Sequence, residues 1–254
     1  MKILGVIPAR YQSSRFPGKP LADICGKPMI WWVYQQCLQV KDFHDEVYVA
    51  TDDKRIYQVC QSFGMKVFMT SEEHVTGTDR VGEVAGRIPA DLILNIQGDE
   101  PLLEPEVIRA AIEPFYHNPK LQITNLMKKI TNPLDLINAT VPKVITNKDG
   151  IGIYLTRAAA PYPKGMLDFD YYKQVCVYGF RPEALQFYCE YGKQNGKGRI
   201  EAMEDIEILR FIENGYQVQF VEVDSKTIAV DTVKDLEKVR KKVAYRQNCS
   251  GGGV

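Results

Sequence analysis

Histidine is nearly missing from this 254-residue chain: His44, His74 and His117 are the only three, and no two stand at a metal-ligand spacing. A histidine-based metal site is therefore not expected. Six cysteines (Cys25, Cys37, Cys60, Cys176, Cys189 and Cys249) are scattered without a CxxC pair. They read as reduced thiols of a cytoplasmic protein, not as a disulfide frame or a zinc site. No apolar run approaches the roughly 20 residues of a membrane span. The opening MKILGVIPAR lacks the longer apolar core and small-residue cleavage site of a secretory signal. Charge of one sign is not in excess either, with Lys+Arg and Asp+Glu at 32 each. That excludes a general nucleic-acid or membrane surface, so neither partner is expected and any anion binding must be local. Two nucleotide fingerprints are also missing. No GxGxxG follows the first apolar run, and Gly18-Lys19 and Gly26-Lys27 are each followed by proline where a P-loop needs Ser or Thr.

What is present is an ordinary globular composition, 45% hydrophobic and 25% charged. Residues 3–7 form a β-branched run with the length of a buried strand, ending at Pro8. It opens into a loop carrying Arg10, Arg15, Lys19 and Lys27 with glycines at 18 and 26. Backbone N–H groups approach anions closely at glycine, and Arg and Lys add charge-assisted bonds, so this loop is a candidate polyphosphate cradle. An ordinary solvated loop would read the same way.

Further on, Pro28 suits the first position of a helix, with Met29, Val33, Cys37 and Val40 on one face. Strands are expected at 46–50, 66–69 and 92–96. Helices between them carry Ile56, Val59, Cys60 and Phe63, then Val81, Val84, Ala85 and Ile88. Asp52 or Asp53 caps the first of these, and Gly64 ends it. Four strands alternating with three helices predict an α/β fold of the three-layer, Rossmann-like kind with a mostly parallel sheet. Ligands in such sheets lie beyond the carboxyl ends of the strands, where the basic loop, Thr51-Asp52-Asp53 and Gln97-Gly98-Asp99 must all fall. In the second half, 121–129 and 143–156 read as strands, the latter folded at Asn147-Lys148-Asp149-Gly150, and 172–180 as another. Helices are expected from Pro182, over 201–214, and after Asp231, where Thr232 and Asp235 make a capping-box-like start. Residues 216–223 alternate, and 227–230 read as a short strand. There is no repeat and no linker. The expected organisation is one domain over 1–246, a β-rich insertion at about 121–180, and a polar, Gly-rich tail over 247–254.

Asp99 follows a buried strand at the ligand edge, and Asp231 follows residues 227–230 in the same way. Carboxylates near a phosphate loop suit Mg²⁺ held between protein and phosphate oxygens. Capping of the following turn or helix is the alternative for each. With both fingerprints excluded, a nucleotidyltransferase using Arg and Lys on the triphosphate and carboxylates on Mg²⁺ remains.

The stretches Ile7-Pro8-Ala9-Arg10, Ser14-Arg15, Pro17-Gly18-Lys19-Pro20-Leu21 and Gly26-Lys27-Pro28-Met29 closely resemble the opening of the 3-deoxy-manno-octulosonate (Kdo) cytidylyltransferases. So do Ala50-Thr51-Asp52-Asp53, Gly77-Thr78-Asp79-Arg80, Gln97-Gly98-Asp99-Glu100-Pro101 and Val230-Asp231-Thr232. The resemblance spans residues 3–242. It implies a nucleotide-diphospho-sugar transferase fold, a homodimer, Mg²⁺ dependence, and transfer from CTP to a keto-deoxy sugar acid with release of diphosphate. It implies service to surface polysaccharide or lipopolysaccharide synthesis. Arg10, Arg15 and Lys19 would hold the triphosphate. Pro8, Ala9, Thr51, Thr76, Gly77 and Arg80 would complete the nucleotide site. Asp99 and Asp231 would bind the metal, and Lys19, Arg10, Arg15 and Asp99 would carry catalysis. Gln97, Arg157, Gln174, Tyr178 and Glu204 would face the sugar acid, with the Arg157 fork suited to its carboxylate. Departures cluster in that half: Gln174 stands where the family's strand has histidine, and Ile208 where its acidic helix has glutamine. The acid is therefore either Kdo, the preferred reading, or an amino- or chain-length variant. A binding protein that kept the fold and lost turnover is the other class. Glu201 and Glu207 read as a solvated helix face.

Overall fold

The computed structural model describes residues 1–12, 16–44, 46–165 and 169–250, with 246–250 by backbone alone. Its elements run β1 (Ile3–Ala9), β2 (Asp23–Ile24), β3 (Lys27–Pro28), α1 (Met29–Leu38), β4 (Val47–Thr51), α2 (Lys54–Ser62), β5 (Val67–Met69), α3 (Gly77–Ala85) and β6 (Leu92–Ile96). There follow α4 (Pro105–Ala110), α5 (Glu113–His117), β7 (Ile123–Lys129), α6 (Pro133–Ile137), β8 (Lys143–Thr146), β9 (Gly152–Thr156) and β10 (Tyr172–Phe180). The chain closes with α7 (Pro182–Asn195), α8 (Arg199–Glu204), α9 (Leu209–Glu213), β11 (Gln219–Glu222) and α10 (Val233–Ser250).

A nine-stranded sheet orders these as β11-β7-β10-β6-β1-β4-β5, with β8 pairing β10 and β9. β1 lies between β4 and β6 and is parallel to both. Strand order therefore reverses at β1, and the crevice beyond its carboxyl end is the place where such a sheet binds ligands. The apolar pattern predicts an end at Pro8, but β1 continues through Ala9, paired rung by rung to β4 as far as Thr51. Every residue of β1 is buried. Such a strand is sandwiched on both faces, each fully buried Ile, Leu or Val contributing about 1.5–3 kcal/mol.

On one face Ile3 and Ile7 join Val33 and Cys37 of α1 and Ile56 and Cys60 of α2. On the other, Leu4 and Val6 meet Val81 and Val84 of α3 and Leu185 and Tyr188 of α7. A third cluster seats α10, through Leu236, Val239 and Val243, on Ile24 and Met29. Trp31 packs against the first cluster and Trp32 against the third, as adjacent residues of one helix must.

Several local expectations meet their physical cause. Asp53, not Asp52, caps α2, its Oδ1 accepting from the Arg55 N–H. Thr76 and Asp79 form a reciprocal capping box on α3. Thr232 and Asp235 do the same at α10. Gly64 (φ 68°) ends α2, and Gly150 (φ 77°) turns the β8–β9 hairpin.

Others are corrected. The single acidic helix expected over 201–214 is two, α8 and α9, because Asp205 adopts φ 50° and breaks it. Glu201 and Glu207 are no solvated face. Glu201 is fully buried in an ion pair with Arg210 at 2.7 Å, and Glu207 binds the start of α3. Residues 227–230 are not a strand, although the Val230 N–H donates to the Asp99 carbonyl. Helix α10 continues to Ser250, past the start of the expected tail, whose last four residues lie outside the described ones. Within the segment read as an insertion, β7 and β10 are interior strands of the main sheet, and the β8–β9 hairpin hangs from β10.

Candidate active site

Three chain segments converge where β1 and β6 end. Gly18 (φ 71°) turns the basic loop so that Lys19 opens a short 3-10 turn. The Gln97-Gly98-Asp99 loop passes so close to β1 that a Cβ on Gly98 would lie 3.2 Å from the Pro8 carbonyl oxygen. The bond from Val230 N–H to Asp99 then draws the Asp231 segment in. Lys19 Nζ consequently lies 2.8 Å from Asp99 Oδ2 and 3.6 Å from Asp231 Oδ1. Residues 80 and 212 positions away from the lysine thus form one cation–dicarboxylate cluster. All three side chains remain partly exposed, as groups meant to meet a ligand must.

Beside this cluster opens a cleft of about 620 Å³, whose walls include Gln97, Asp99, Arg157, Gln174, Tyr178 and Asp231. A smaller hollow of about 280 Å³ lies at Pro161, Tyr162 and Phe169, and among the described residues its wall carries no charged side chain. Arg157 donates through Nε, Nη1 and Nη2 to the carbonyls of Glu204, Ala139 and Asp205. Those bonds use three of the five N–H groups of a guanidinium and fix its plane. Glu204, expected to face the sugar, is not on the cleft wall. Its carboxylate accepts from Thr156 Oγ1, the Arg157 N–H and Tyr154 OH, behind the arginine. Of that segment, Asp205 and Glu207 both line the cleft.

The nucleotide-side residues line the neighbouring edge. Pro8, Ala9 and Thr51 are buried at the ends of β1 and β4, and Arg10 is exposed just beyond. Arg15 lies outside the described residues. A Cβ on Gly77 would stand 3.4 Å from Pro8 Cγ and 3.7 Å from Gln97 Nε2, so the start of α3 touches both halves of the site. Glu207 clamps that start, accepting from the N–H groups of Gly77 and Thr78 at 3.1 Å each and from Thr78 Oγ1. Burial pushes the Glu207 carboxyl up, against the bonds from Thr78 and Gly77 and the positive charge of Arg10. Thr76 is committed to the capping box and to Tyr188 OH. Arg80 is fully buried and donates to Asp52, Thr70 and Ser71, so its guanidinium braces the end of β4.

Sequence reasoning passed over Glu100 and Lys143 and misread Glu207. Glu100 is buried next to Asp99; burial first, then the charge of Asp99, pushes its carboxyl up to about 7. Glu207 stands between two buried isoleucines, Ile206 and Ile208, a signal that its backbone runs through the core. Lys143 is also fully buried, its ammonium donating to the carbonyls of Asn138, Val141 and Arg157. Nothing in its local sequence distinguishes it from a strand-end lysine.

Comparison with known proteins bears on the same residues. The cytidylyltransferase family model matches residues 4–228. A 3-deoxy-manno-octulosonate cytidylyltransferase of Solibacter usitatus is 41% identical over 241 residues, covering 94% of each chain. The one from Geobacter sulfurreducens is 42% identical over 254 residues, covering 96% of this chain and all of its own. A solved CMP:2-keto-3-deoxy-manno-octonic acid synthetase complexed with CTP superposes with a TM-score of 0.89 at 39% identity, over 97% of this chain and 100% of that one. A glucose-1-phosphate thymidylyltransferase from Bacillus anthracis, at TM-score 0.67 and 17% identity over 94% of both chains, shares the fold.

Proposed function

The chain belongs to the cytidylyltransferases, among those of the 3-deoxy-manno-octulosonate type, and on that premise we propose how its residues carry the reaction. The enzyme couples CTP to Kdo, giving CMP-Kdo and diphosphate, a step toward lipopolysaccharide. The observation that carries the assignment of roles is the Lys19 ammonium lying against both Asp99 and Asp231.

The anomeric hydroxyl of the sugar acid attacks the α-phosphorus in line with the departing diphosphate. Little covalent work falls to the protein, so positioning and charge neutralisation set the rate. Lys19, with Arg10 and Arg15, neutralises the β- and γ-phosphates as charge develops on the leaving group. Pro8, Ala9, Thr51 and the Thr76–Gly77 turn shape the nucleotide side, which Arg80 braces. Gln97, Arg157, Gln174 and Tyr178 orient the sugar acid, with Arg157 directed at its carboxylate and Glu207 replacing Glu204 as the acidic group beside it.

The metal this fold family implies is Mg²⁺. Asp99 and Asp231 are hard oxygen donors that already share a cation's position with Lys19. Among the described residues no group of three or more His, Cys, Asp and Glu is placed to hold a metal. Two carboxylates completed by phosphate oxygens and water match the coordination habit of Mg²⁺. When bound, the ion polarises the α-phosphate and lowers the pKa of the attacking hydroxyl. A cytoplasmic homodimer completes the proposal. Exposed Leu134 and Ile137, on α6, offer apolar surface that such an assembly would cover.

Diphosphate release measured with CTP, Mg²⁺ and a panel of keto-deoxy sugar acids tests the reading. Release with Kdo is expected. Release with an amino- or chain-length variant but not with Kdo would overturn the substrate, and release with none would leave a nucleotide-binding protein without turnover.

A further inference from the structure

The sugar side of the cleft carries a hydrogen-bond polarity that is fixed from behind, by a buried residue that never reaches the cleft. In the ladder between β7 and β10, Leu126 pairs with Val175, but the next rung joins Asn125 to Tyr178. Cys176 and Val177 are therefore extra residues in β10, a bulge of the kind that re-aims side chains beside active sites. A bulge takes carbonyls out of the ladder, and buried carbonyls need donors. Asn125, fully buried, supplies them: its Nδ2 donates to the carbonyl oxygens of Val175 at 3.0 Å and Val177 at 2.9 Å.

Two acceptors on one side of an amide settle which end is nitrogen, because an oxygen there would face two oxygens. Asn125 Oδ1 must therefore look the other way, toward Gln174, and there it accepts from Gln174 Nε2 at 2.8 Å. The Gln174 amide is thereby fixed as well. Its Oε1 cannot exchange places with Nε2 without setting two oxygens against each other. Gln174 lines the same cleft as Asp99 and Asp231.

We infer that the pair Asn125–Gln174 is a specificity device that presents an immovable acceptor, Gln174 Oε1, to a hydrogen-bond donor on the sugar acid, one hydroxyl of its polyhydroxyl chain. Asn125 is the positioning residue, and Gln174 makes the contact. The device orients the substrate, since the hydroxylated chain belongs at β10 and the carboxylate belongs at Arg157. This rests on the proposed sugar-acid cytidylyltransfer.

The test compares the unaltered enzyme with Gln174→Met and Gln174→His in diphosphate release. The substrates are CTP with the sugar acid and with analogues each lacking one hydroxyl. Methionine keeps the length and removes the acceptor. Imidazole keeps one N–H for Asn125 and one acceptor nitrogen. Gln174→Met is expected to raise KM for the sugar acid about tenfold, the worth of one neutral hydrogen bond, and to leave KM for CTP within about twofold. Gln174→His recovers most of that loss. One deoxy analogue should lose about tenfold in kcat/KM with the unaltered enzyme and almost nothing further with Gln174→Met. An unchanged sugar KM in Gln174→Met, or analogues that fall equally with both enzymes, would overturn the inference. If no acid is turned over, the proposed function falls, and the fixed amide is decided separately by NMR. One Gln174 side-chain amide proton protected from exchange upholds the Asn125 bond; two equally exposed protons refute it.

Discussion

Lys19 and Glu204 do opposite electrostatic work within one site. Lys19 is kept accessible between two carboxylates, so its charge can move onto a developing diphosphate. Lys19→Ala should lower kcat by at least about a hundredfold, through lost transition-state stabilisation, with the fold intact by circular dichroism. Glu204 is structural. Burial opposes its ionisation, but the bonds from Thr156, the Arg157 N–H and Tyr154 outweigh it and hold the carboxyl below its ordinary 4.5. A depressed carboxylate contributes stability that is present above the unfolded-state value and lost as pH falls through the folded-state one. Glu204→Gln should therefore unfold at lower urea than the unaltered protein near pH 7, and the gap should close below pH 4.5. A gap that widened on acidification would reverse the sign of that assignment.

Elements of this fold were readable wherever one local rule decided them. The β-branched run gave β1, a 3.6-residue stripe gave α2, and Thr76 with Asp79 gave the start of α3. Where distant partners decide, the sequence was silent. Nothing around Asp205 differs from a helix former, yet the helix breaks there, and Glu207 beyond the break binds the start of α3. Residues 227–230 look like a strand, yet what ties them to β6 is the bond from the Val230 N–H to the Asp99 carbonyl beyond its end. Lys143 reads as a polar strand end, although three carbonyls enclose its ammonium. In the candidate site, the motif-borne Lys19, Asp99 and Asp231 were legible, whereas Glu207 and Asn125 act through contacts made far along the chain. The α7–α8–α9 packing has a test of its own. Arg210 lies between Glu201 and the Tyr188 ring, both buried. Arg210→Leu leaves a buried carboxylate unpaired and should cost about 3–5 kcal/mol in urea unfolding, and adding Glu201→Met should recover much of it.

Across the whole molecule, a doubly wound sheet brings its loops to one edge and leaves the remaining chain to build the sugar wall. Nucleotide and sugar halves meet at Gln97 and at the Glu207 clamp on α3. Binding of CTP with Mg²⁺ should therefore raise global stability by linkage, about 2.7 kcal/mol at a hundred times Kd, and EDTA should remove most of that gain. A thermal shift with CTP that ignores EDTA would argue against metal held between Asp99, Asp231 and phosphate. The central claim is that these carboxylates, with Lys19, drive cytidylyl transfer. Its most direct measurement is the steady-state rate of diphosphate release from CTP and Kdo by purified Asp99→Ala beside the unaltered enzyme. The account predicts a kcat at least about a hundredfold lower in a normally folded variant; a near-normal kcat would contradict it.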